Sequence, residues 1–514
     1  MRLLSRLLTF TVLLAFCACH SPANPQEVTP ALQKLVAGQA LPKVEPANWT
    51  DLRAFYTQRE HAPAWVNHRR PTDKAAEAIK ILNTAREHGF DPKDYGAPEL
   101  LAMSQAVEKL EKGSEARLEE LAEFDARLTA GMLAFGRDVA VGRDNGDANF
   151  KARRKLPDLV AAVTAAADDP EKFVDAVRPP HAAYVALAKA LDALNGQREK
   201  GGWVNVPSAK STEALRQRLQ ASGHLKEGGD LAAAVKSFQE LHSIAATGVV
   251  DDKTLAAINV PLDARIQQVT TNLQRWRWMP DELGERHFFV NIPSYHLTAF
   301  ESGKPVMDIR VVVGKPGHNT PIFSEEMETV VFSPYWNVPD TIAENETAPA
   351  AARDPNYLAR QGIEILRVSG SSSEPVKSSD VNWGNPDAMK GLVFRQKPGD
   401  SNALGHVKFL FPNQYNVYLH DTPADSLFAK PSRAFSHGCI RVEEPEALAK
   451  YVLQGYSEWD EPSIGAAMHS GVEKHVKMKA KIPVHIAYFT AWVDPNGGLH
   501  FAPDIYGYDK DAGN

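Results

Sequence analysis

Apolar residues recur at helical spacing through the early part of the chain. Residues 75–82 and 118–135 place apolar side chains three or four positions apart, and the alanine-rich stretches 161–167 and 184–194 continue the pattern. This spacing puts the apolar side chains on one face of a helix. We therefore predict an all-α scaffold domain over residues 44–201, in which no residue pattern points to chemistry.

A shorter region with a different pattern follows, over residues 208–262. Its apolar residues again have helical spacing, and Gly248 marks a turn before the last group. The side chains expected in its core are Leu215, Leu219, Val235, Phe238 and Leu255. Three short helices would bury these side chains together, so we predict a compact three-helix module.

Short runs of β-branched and aromatic residues replace the helical spacing after Trp278. They are separated by Gly, Pro and Asn, which is typical of strands joined by turns. The runs are 288–292, 295–300, 307–313, 329–332, 407–411, 417–419 and 484–489. We predict a mostly β, sandwich-like domain over residues 286–470, which the C-terminal strands of residues 480–508 join.

One segment of this β region, residues 341–387, does not have the strand pattern. It is polar, it is alanine-rich at its start, and it is too long for a hairpin turn. Long insertions of this kind often act as lids or binding loops. We predict a partly helical capping insertion, with the small polar run of residues 369–373 as its hinge or tip.

The first nineteen residues have the features of an export signal. Arg2 and Arg6 precede a largely apolar run that ends before Cys19. This run is too short to anchor a protein across a bilayer. We predict a signal peptide over residues 1–19, with lipidation of Cys19 and membrane attachment as one outcome of processing and ordinary cleavage as the other.

Length and charge exclude some classes of protein. A chain of 514 residues exceeds what one hydrophobic core usually supports, so several domains are expected. A net charge of -7 and a pI near 6.2 give no electrostatic basis for binding nucleic acid. The 17 histidines and 64 acidic residues show no tight metal-ligand spacing, such as HExxH, and we expect no metal or other cofactor.

Cys439 is the cysteine that lies outside the export segment. In an oxidising compartment it has no obvious disulfide partner, and a lone thiol there is a liability unless it is used. It lies in the run Ser-His-Gly-Cys-Ile-Arg of residues 436–441, with a second histidine upstream at His420. A thiol, two histidines, a glycine and an arginine in one short stretch indicate a cysteine nucleophile.

Either histidine can serve as the base for this thiol. His437 precedes Cys439 by two residues and would share its face in an extended segment, whereas a loop after His420 could return the chain to the strand that His420 ends. The residues alone leave both open. Gly438 allows close approach of the backbone to a substrate, the Cys439 amide suits an oxyanion, and Arg441 offers a planar fork for a carboxylate.

These residues also carry a family resemblance. Residues 436–441, preceded by His420 within residues 417–423, resemble the active-site signature of the L,D-transpeptidases. Further matches to that catalytic domain lie at residues 313–315, 320–321, 336–339, 402–409 and 504–507. Residues 208–262 resemble the peptidoglycan-binding module found in the large subgroup of the family. The resemblance covers nearly all of the mature chain and implies a periplasmic or cell-envelope protein that acts on peptidoglycan stem peptides.

The resemblance also implies roles for individual residues. Cys439 would attack a tetrapeptide stem, release the terminal D-alanine and form a thioester, which an amine of a neighbouring stem would resolve into a 3-3 cross-link. His420 would be the general base, oriented by the backbone carbonyl of Asp421. His437 would line the site and support the substrate or oxyanion. The residues expected to bind substrate are Arg441, Gly438, Ser436 and Asp421.

Two other functions remain open at this point. The same thioester could be resolved by a lipoprotein lysine, a free D-amino acid or water, since the sequence does not reveal the acceptor. Alternatively, the protein could be a non-catalytic wall-binding scaffold. The intact set of Cys439, His420 and His437 argues against that alternative.

Overall fold

The computed structural model describes residues 27–510, except residues 40, 42–45, 68–69, 111–113, 144–152, 371 and 384. The predicted signal peptide and Cys19 lie outside the described residues. Within them, no helix is both long enough and apolar enough to cross a membrane. The described chain forms two compact units. The first contains the residues up to Arg86 with Phe90–Val139 and Leu156–Arg178, and the second contains Glu87–Gly89, Ala140–Lys155 and the chain from Pro179 onward.

The first unit is helical, as the spacing of apolar residues predicts. Its helices are α1 (Thr29–Gly38), α2 (Pro46–Gln58), α3 (Asp73–Asn83), α4 (Ala97–Val107), α5 (Glu115–Val141), α6 (Leu159–Ala166) and α7 (Phe173–Val177). Helix α3 shows why the sequence folds this way locally. Thr72 caps its first turn by accepting a hydrogen bond from the Ala75 amide, and Ile79 and Leu82 are buried on one face.

Asp125 of α5 ties three segments of the first unit together. Its fully buried carboxylate accepts hydrogen bonds from the Tyr56 hydroxyl and the Trp65 amide, each at 2.6 Å. The amides of Ala64 and Val66 donate to it at 3.0 and 3.1 Å. Burial raises the pKa of Asp125, while these donors oppose that rise. The carboxylate therefore joins α2, the 64–66 segment and α5.

The second unit begins with five helices. They are α8 (Ala182–Glu199), α9 (Thr212–Ala221), α10 (Leu231–Leu241), α11 (Asp252–Ile258) and α12 (Leu262–Trp278). Helices α9 to α11 form the predicted three-helix module around a core that includes Leu219, Phe238 and Ile258. The buried Gln239 side chain accepts from the Gly248 amide at 2.8 Å and donates to the Thr254 hydroxyl at 2.9 Å, which holds the predicted turn.

The helix α8 illustrates a difference from the expected domain limits. Its helical spacing places it in the predicted scaffold region, yet it groups with the second unit. Tyr184 and Leu191 of α8 share one hydrophobic cluster with Val269 and Leu273 of α12. Helix α8 therefore supports the part of the chain that follows it.

Strands dominate the rest of the second unit. They are β1 (Arg286–Asn291), β2 (His296–Glu301), β3 (Lys304–Gly314), β4 (Phe323–Phe332), β5 (Trp336–Asn337), β6 (Ile363–Ser369), β7 (Ser372–Val376), β8 (Leu392–Gln396), β9 (Val407–Leu410), β10 (Leu419–His420), β11 (Ala434–Ser436), β12 (Ile440–Val442), β13 (Lys474–Ala487), β14 (Ala491–Val493) and β15 (Leu499–Phe501). The predicted β character of this region is confirmed.

Nine of these strands form one sheet in the order β11-β3-β12-β10-β9-β4-β13-β1-β2. Strand β3 also pairs with β2, so the sheet folds back on itself. The enclosed core includes Val290, Val311, Val330, Leu419 and Ile440. Strand β13 lies between β4 and β1, and this C-terminal strand therefore completes the sheet.

The insertion is a folded subdomain with helices α13 (Asp340–Ile342), α14 (Ala348–Arg353) and α15 (Tyr357–Arg360). A four-stranded sheet of order β5-β8-β6-β7 packs with them around a separate core that includes Val338, Leu358 and Phe394. This sheet extends beyond the predicted limits of 341–387, because its strands β5 and β8 lie outside them. Of the serine-rich run predicted as a hinge or tip, Ser369 ends β6 and Ser372 begins β7.

Two helices and a hairpin complete the second unit. Helix α16 (Pro445–Val452) and helix α17 (Glu461–Met468) precede β13. The β14–β15 hairpin packs against α8 and α12 through Ala491 and Phe501. The Phe501 ring also lies 5.3 Å from the His242 ring, which links the hairpin to the three-helix module.

Candidate active site

Pairings of two short strands, β11 and β12, determine where Cys439 lies. It connects β11, which pairs with the end of β3, to β12, which runs parallel to β10. In the β10–β12 register, Leu419 is opposite Ile440 and His420 is opposite Arg441. This pairing brings the two parts of the predicted signature, nineteen residues apart in sequence, to neighbouring strands.

Hydrogen bonds within the signature hold the backbone around Cys439. The Ser436 hydroxyl donates to the Cys439 carbonyl at 2.5 Å and accepts from the Gly438 amide at 3.1 Å. The Thr320 hydroxyl donates to the Gly438 carbonyl at 2.8 Å. Gly438 has φ 116°, in the region that favours glycine. The Ser436 hydroxyl, expected to bind substrate, thus forms hydrogen bonds within the protein. Gly438 allows the backbone conformation of the turn that carries Cys439.

Polar groups of Asn416 and Tyr418 contact the Cys439 thiol. It donates to the Asn416 carbonyl, with a sulfur-to-oxygen distance of 3.8 Å. The Tyr418 hydroxyl hydrogen-bonds to the sulfur. Burial raises the pKa of the Cys439 thiol, while hydrogen bonds from Tyr418 and the positive charge of Arg441 act in the opposite direction. Burial therefore favours the neutral thiol form of Cys439.

His420 is buried at the end of β10 with its tautomer set by the backbone. Its Nδ1 lies 2.5 Å from the Asp421 carbonyl oxygen, which only accepts, so Nδ1 carries the proton and Nε2 has a free lone pair. Burial, together with the charges of Arg441 and Lys408, lowers the pKa of His420 to about 3. A neutral imidazole with a free Nε2 is the form that a general base requires.

His437 is held differently. Its Nε2 lies 2.8 Å from Glu346 Oε1 and 3.3 Å from Lys315 Nζ, and its ring lies 4.8 Å edge-on from that of His318. Glu346 belongs to the insertion, so this contact joins the insertion to the segment that carries Cys439. Of the two candidate bases, His420 leaves its Nε2 free, whereas the Nε2 of His437 is engaged by Glu346 and Lys315.

Arg441 has a buried donor without a hydrogen-bond partner among the described residues, whereas both carboxylate oxygens of Asp421 are paired. The buried Nε of Arg441 has no hydrogen-bond partner among the described residues, which suits a donor kept for a ligand. Both carboxylate oxygens of Asp421 are occupied, since Oδ2 accepts from the His406 amide at 2.7 Å and Oδ1 from the Thr422 amide at 2.6 Å. Asp421 therefore positions His420 through its carbonyl, and its carboxylate is used internally.

Sequence analysis assigned no role to three residues that the structure places here. Tyr418 lies within the matched residues 417–423, two residues before His420. This short distance in sequence could have indicated that it belongs to the site. Lys315 lies in a matched motif far upstream. Glu346 lies in the insertion, 91 residues from His437 in sequence, and no local pattern connects the two.

Comparisons with known proteins agree with the domain order. Residues 285–466 match the YkuD family, described as the L,D-transpeptidase catalytic domain. Residues 50–191 match a scaffold domain, and residues 208–258 match a "Putative peptidoglycan binding domain". These three matches follow one another along the chain in the order that the sequence resemblance implies.

A curated relative and a solved structure were also found. A "Putative L,D-transpeptidase" of Haemophilus influenzae (strain ATCC 51907 / DSM 11121 / KW20 / Rd) is 36% identical over 244 residues, which span 48% of this chain and 48% of that protein. The crystal structure of an L,D-transpeptidase (residues 123-326) from Xylanimonas cellulosilytica DSM 15894 is 15% identical and covers 53% of this chain and 91% of that one. Its TM-score of 0.17 adds nothing to the fold assignment. The three domain matches and the curated relative show that the chain contains an L,D-transpeptidase catalytic domain together with scaffold and peptidoglycan-binding domains.

Proposed function

We propose that this protein is a peptidoglycan L,D-transpeptidase that forms 3-3 cross-links through a thioester on Cys439. One observation carries the proposal: Cys439, whose thiol is hydrogen-bonded by Tyr418, immediately precedes β12, the strand paired with β10, where a neutral His420 has a free Nε2. This pair can pass a proton from sulfur to nitrogen as the sulfur attacks a carbonyl.

In the acylation half of the proposed reaction, His420 Nε2 takes the thiol proton while Sγ attacks the carbonyl before the terminal D-alanine. The Cys439 amide and Arg441 donate to the oxyanion of the tetrahedral intermediate. The intermediate collapses, the C–N bond breaks, and His420 returns its proton to the leaving D-alanine amine. The product is a thioester between Cys439 and the shortened stem.

In the second half, an amine of a neighbouring stem attacks the thioester. His420 takes a proton from that amine, the C–S bond breaks, and the sulfur leaves as a thiolate that His420 reprotonates. The new amide bond is the cross-link, and the enzyme returns to its thiol and neutral imidazole form. The same steps with a lipoprotein lysine, a D-amino acid or water as acceptor give the alternative products.

The modules support a location in the cell envelope, where peptidoglycan is found. We further propose that the first nineteen residues direct export to the periplasm, and that lipidation of Cys19 would attach the protein to a membrane. Mass spectrometry of the N-terminus of protein isolated from cell membranes tests this directly. A chain that still begins at Met1 in the envelope fraction would contradict it.

A reconstitution with purified stems tests the proposed activity. The mature protein and the Cys439→Ala variant are incubated with disaccharide-tetrapeptides, and the products are separated and identified by mass spectrometry. Transpeptidation yields 3-3 dimers and free D-alanine with the wild type only. Tripeptides without dimers would show that water is the acceptor, and no product with either protein would show a binding scaffold.

A further inference from the structure

Three metal-ligating side chains meet outside the set of residues that surrounds Cys439. Asp400, His406 and His469 each present a ligand atom, and these atoms lie within 4.8 Å of one another. They come from separate parts of the second unit: the turn after β8, the residue before β9 and the end of α17. The sequence has no closely spaced metal ligands and so predicted no metal, because this cluster forms only when distant segments fold together.

The spacing of the first pair already fits a metal ion. Two ligands that each lie about 2.1 Å from a tetrahedral zinc ion are about 3.4 Å apart. His406 Nε2 and Asp400 Oδ1 are separated by 3.5 Å. The His469 ring lies 4.3 Å from the His406 ring, centre to centre, at an angle of 54°. Rotation about the side-chain bonds of His469, which is exposed, would bring its nitrogen to the same distance.

The backbone around the cluster is held by buried side chains. The Ser333 amide donates to the His406 carbonyl at 2.9 Å, and its hydroxyl donates to the Met468 carbonyl at 2.9 Å. Ser333 thus joins the two histidine-bearing segments. Asn402 is fully buried and donates to the Pro334 and Lys397 carbonyls, each at 2.9 Å, which holds the turn between Asp400 and His406. Such support is what pre-organises a metal site.

A surface ion pair between Asp400 and His406 would not explain the second imidazole. Two imidazoles this close repel each other when both are protonated, whereas two neutral imidazoles both donate lone pairs to one cation. Nitrogen ligands with a single carboxylate suit zinc and similar transition metals, since Mg²⁺ and Ca²⁺ prefer oxygen ligands.

We propose that Asp400, His406 and His469 bind a divalent transition-metal ion, for which Zn²⁺ is the best match, with solvent completing its coordination. The ion would crosslink the turn before β9 to the end of α17. The His406 amide donates to Asp421, whose carbonyl holds His420, so the ion would also brace the segment that carries the proposed base.

Isothermal titration calorimetry with Zn²⁺ tests this site. The mature chain is used without a histidine tag and with Cys439→Ala, so that neither a tag nor the thiol binds metal. One equivalent of Zn²⁺ per chain should bind, and either His406→Gln or His469→Gln should abolish measurable binding. The matched control His475→Gln, an exposed histidine outside the cluster, should bind as the parent does.

A second measurement, with Co²⁺, tests metal binding separately from any change in the stability of the variants. Co²⁺ in place of Zn²⁺ should give visible absorption bands of imidazole-bound cobalt in the parent and the control, and neither cluster variant should give them. Circular dichroism shows that each variant is folded, and the exposed His469 can be replaced without opening the core. Absence of binding to the parent, or equal binding by both cluster variants, would overturn the proposal.

Discussion

The Tyr418 hydroxyl is the neighbour of Cys439 that most directly favours its thiolate. It donates a hydrogen bond that the charged sulfur accepts more strongly than the neutral one. Burial acts against ionisation of Cys439 and also raises the pKa of Tyr418, so the tyrosine stays protonated and able to donate.

We therefore expect Tyr418→Phe to raise the pKa of Cys439 and to slow its alkylation at neutral pH by about tenfold, because a hydrogen bond to a charged group contributes about 1.5 kcal/mol. Iodoacetamide alkylation followed by mass spectrometry measures the rate. Tyr415→Phe removes an exposed hydroxyl nearby and serves as the control. An unchanged rate in Tyr418→Phe would remove Tyr418 from the site.

His420 and His437 should differ in their effect on thiolate formation. The free Nε2 of the neutral His420 ring suits it to be the base, whereas Nε2 of His437 is engaged by Glu346. His420→Ala should slow Cys439 alkylation at low pH more than His437→Ala does. The opposite order would reverse the two assignments.

The stability of the folded protein should depend on pH because His420 is buried in its neutral form. Because burial lowers the pKa of folded His420 to about 3, the unfolded chain binds a proton at this residue first as the pH falls. The stability contributed by the neutral imidazole is complete above about pH 6.5, the usual histidine value, and is lost between that pH and about 3. Wild type should lose melting temperature over this range more steeply than His420→Ala.

At the scale of elements, the insertion is a subdomain with its own sheet and core, in contact with the signature through Glu346. We propose that it caps the Cys439 groove and selects the acceptor, as the length of the insertion predicts. The folded core means that a cut inside residues 341–387 would unfold the subdomain, so single substitutions at the contact test the idea better than deletions.

Glu346→Gln should weaken the contact with His437 and reduce kcat/KM for stem cross-linking about two- to fivefold, since an exposed ion pair contributes up to about 1 kcal/mol. Alkylation of Cys439 by a small reagent should stay unchanged, because that reagent needs no cap. Glu344→Gln, on the same exposed turn, is the matched control. Equal loss in both assays would show that Glu346 supports the site itself.

Helix α5 depends on one buried carboxylate. Asp125→Ala leaves the Tyr56 hydroxyl and the Trp65 and Val66 amides without their acceptor, and we expect a loss of about 3 kcal/mol in the free energy of unfolding. Urea unfolding followed by circular dichroism measures this loss. Glu119→Ala, at an exposed position of the same helix, should change the stability by less than about 0.5 kcal/mol.

At the scale of the whole molecule, Cys439 is the free cysteine of the described chain, so covalent labelling has one expected target. Because the catalytic domain matches the L,D-transpeptidases, we expect carbapenems to acylate this thiol. Intact-protein mass spectrometry of the mature chain should show one adduct, and Cys439→Ala should show none. An adduct that persists in the variant would place the nucleophile elsewhere.

The sequence was a good guide to local structure where apolar periodicity was strong. It predicted α3, α5 and the three-helix module, because each buries one regular face. It did not predict α12, whose buried residues include Asn272 and Arg275, nor the sheet of the insertion, whose strand β7 is largely exposed. In these elements tertiary contacts, rather than an amphipathic pattern, determine the conformation.

By itself, the sequence determined the candidate nucleophile, the two candidate histidines and the order of the modules, since short motifs and local spacing carry that information. Only the tertiary structure distinguished the surroundings of His420 from those of His437. It also placed Tyr418 and Glu346 beside the signature residues and brought Asp400, His406 and His469 together. The physical reason is that burial, strand register and contacts between distant segments determine pKa values and ligand geometry. These quantities exist only after the chain has folded.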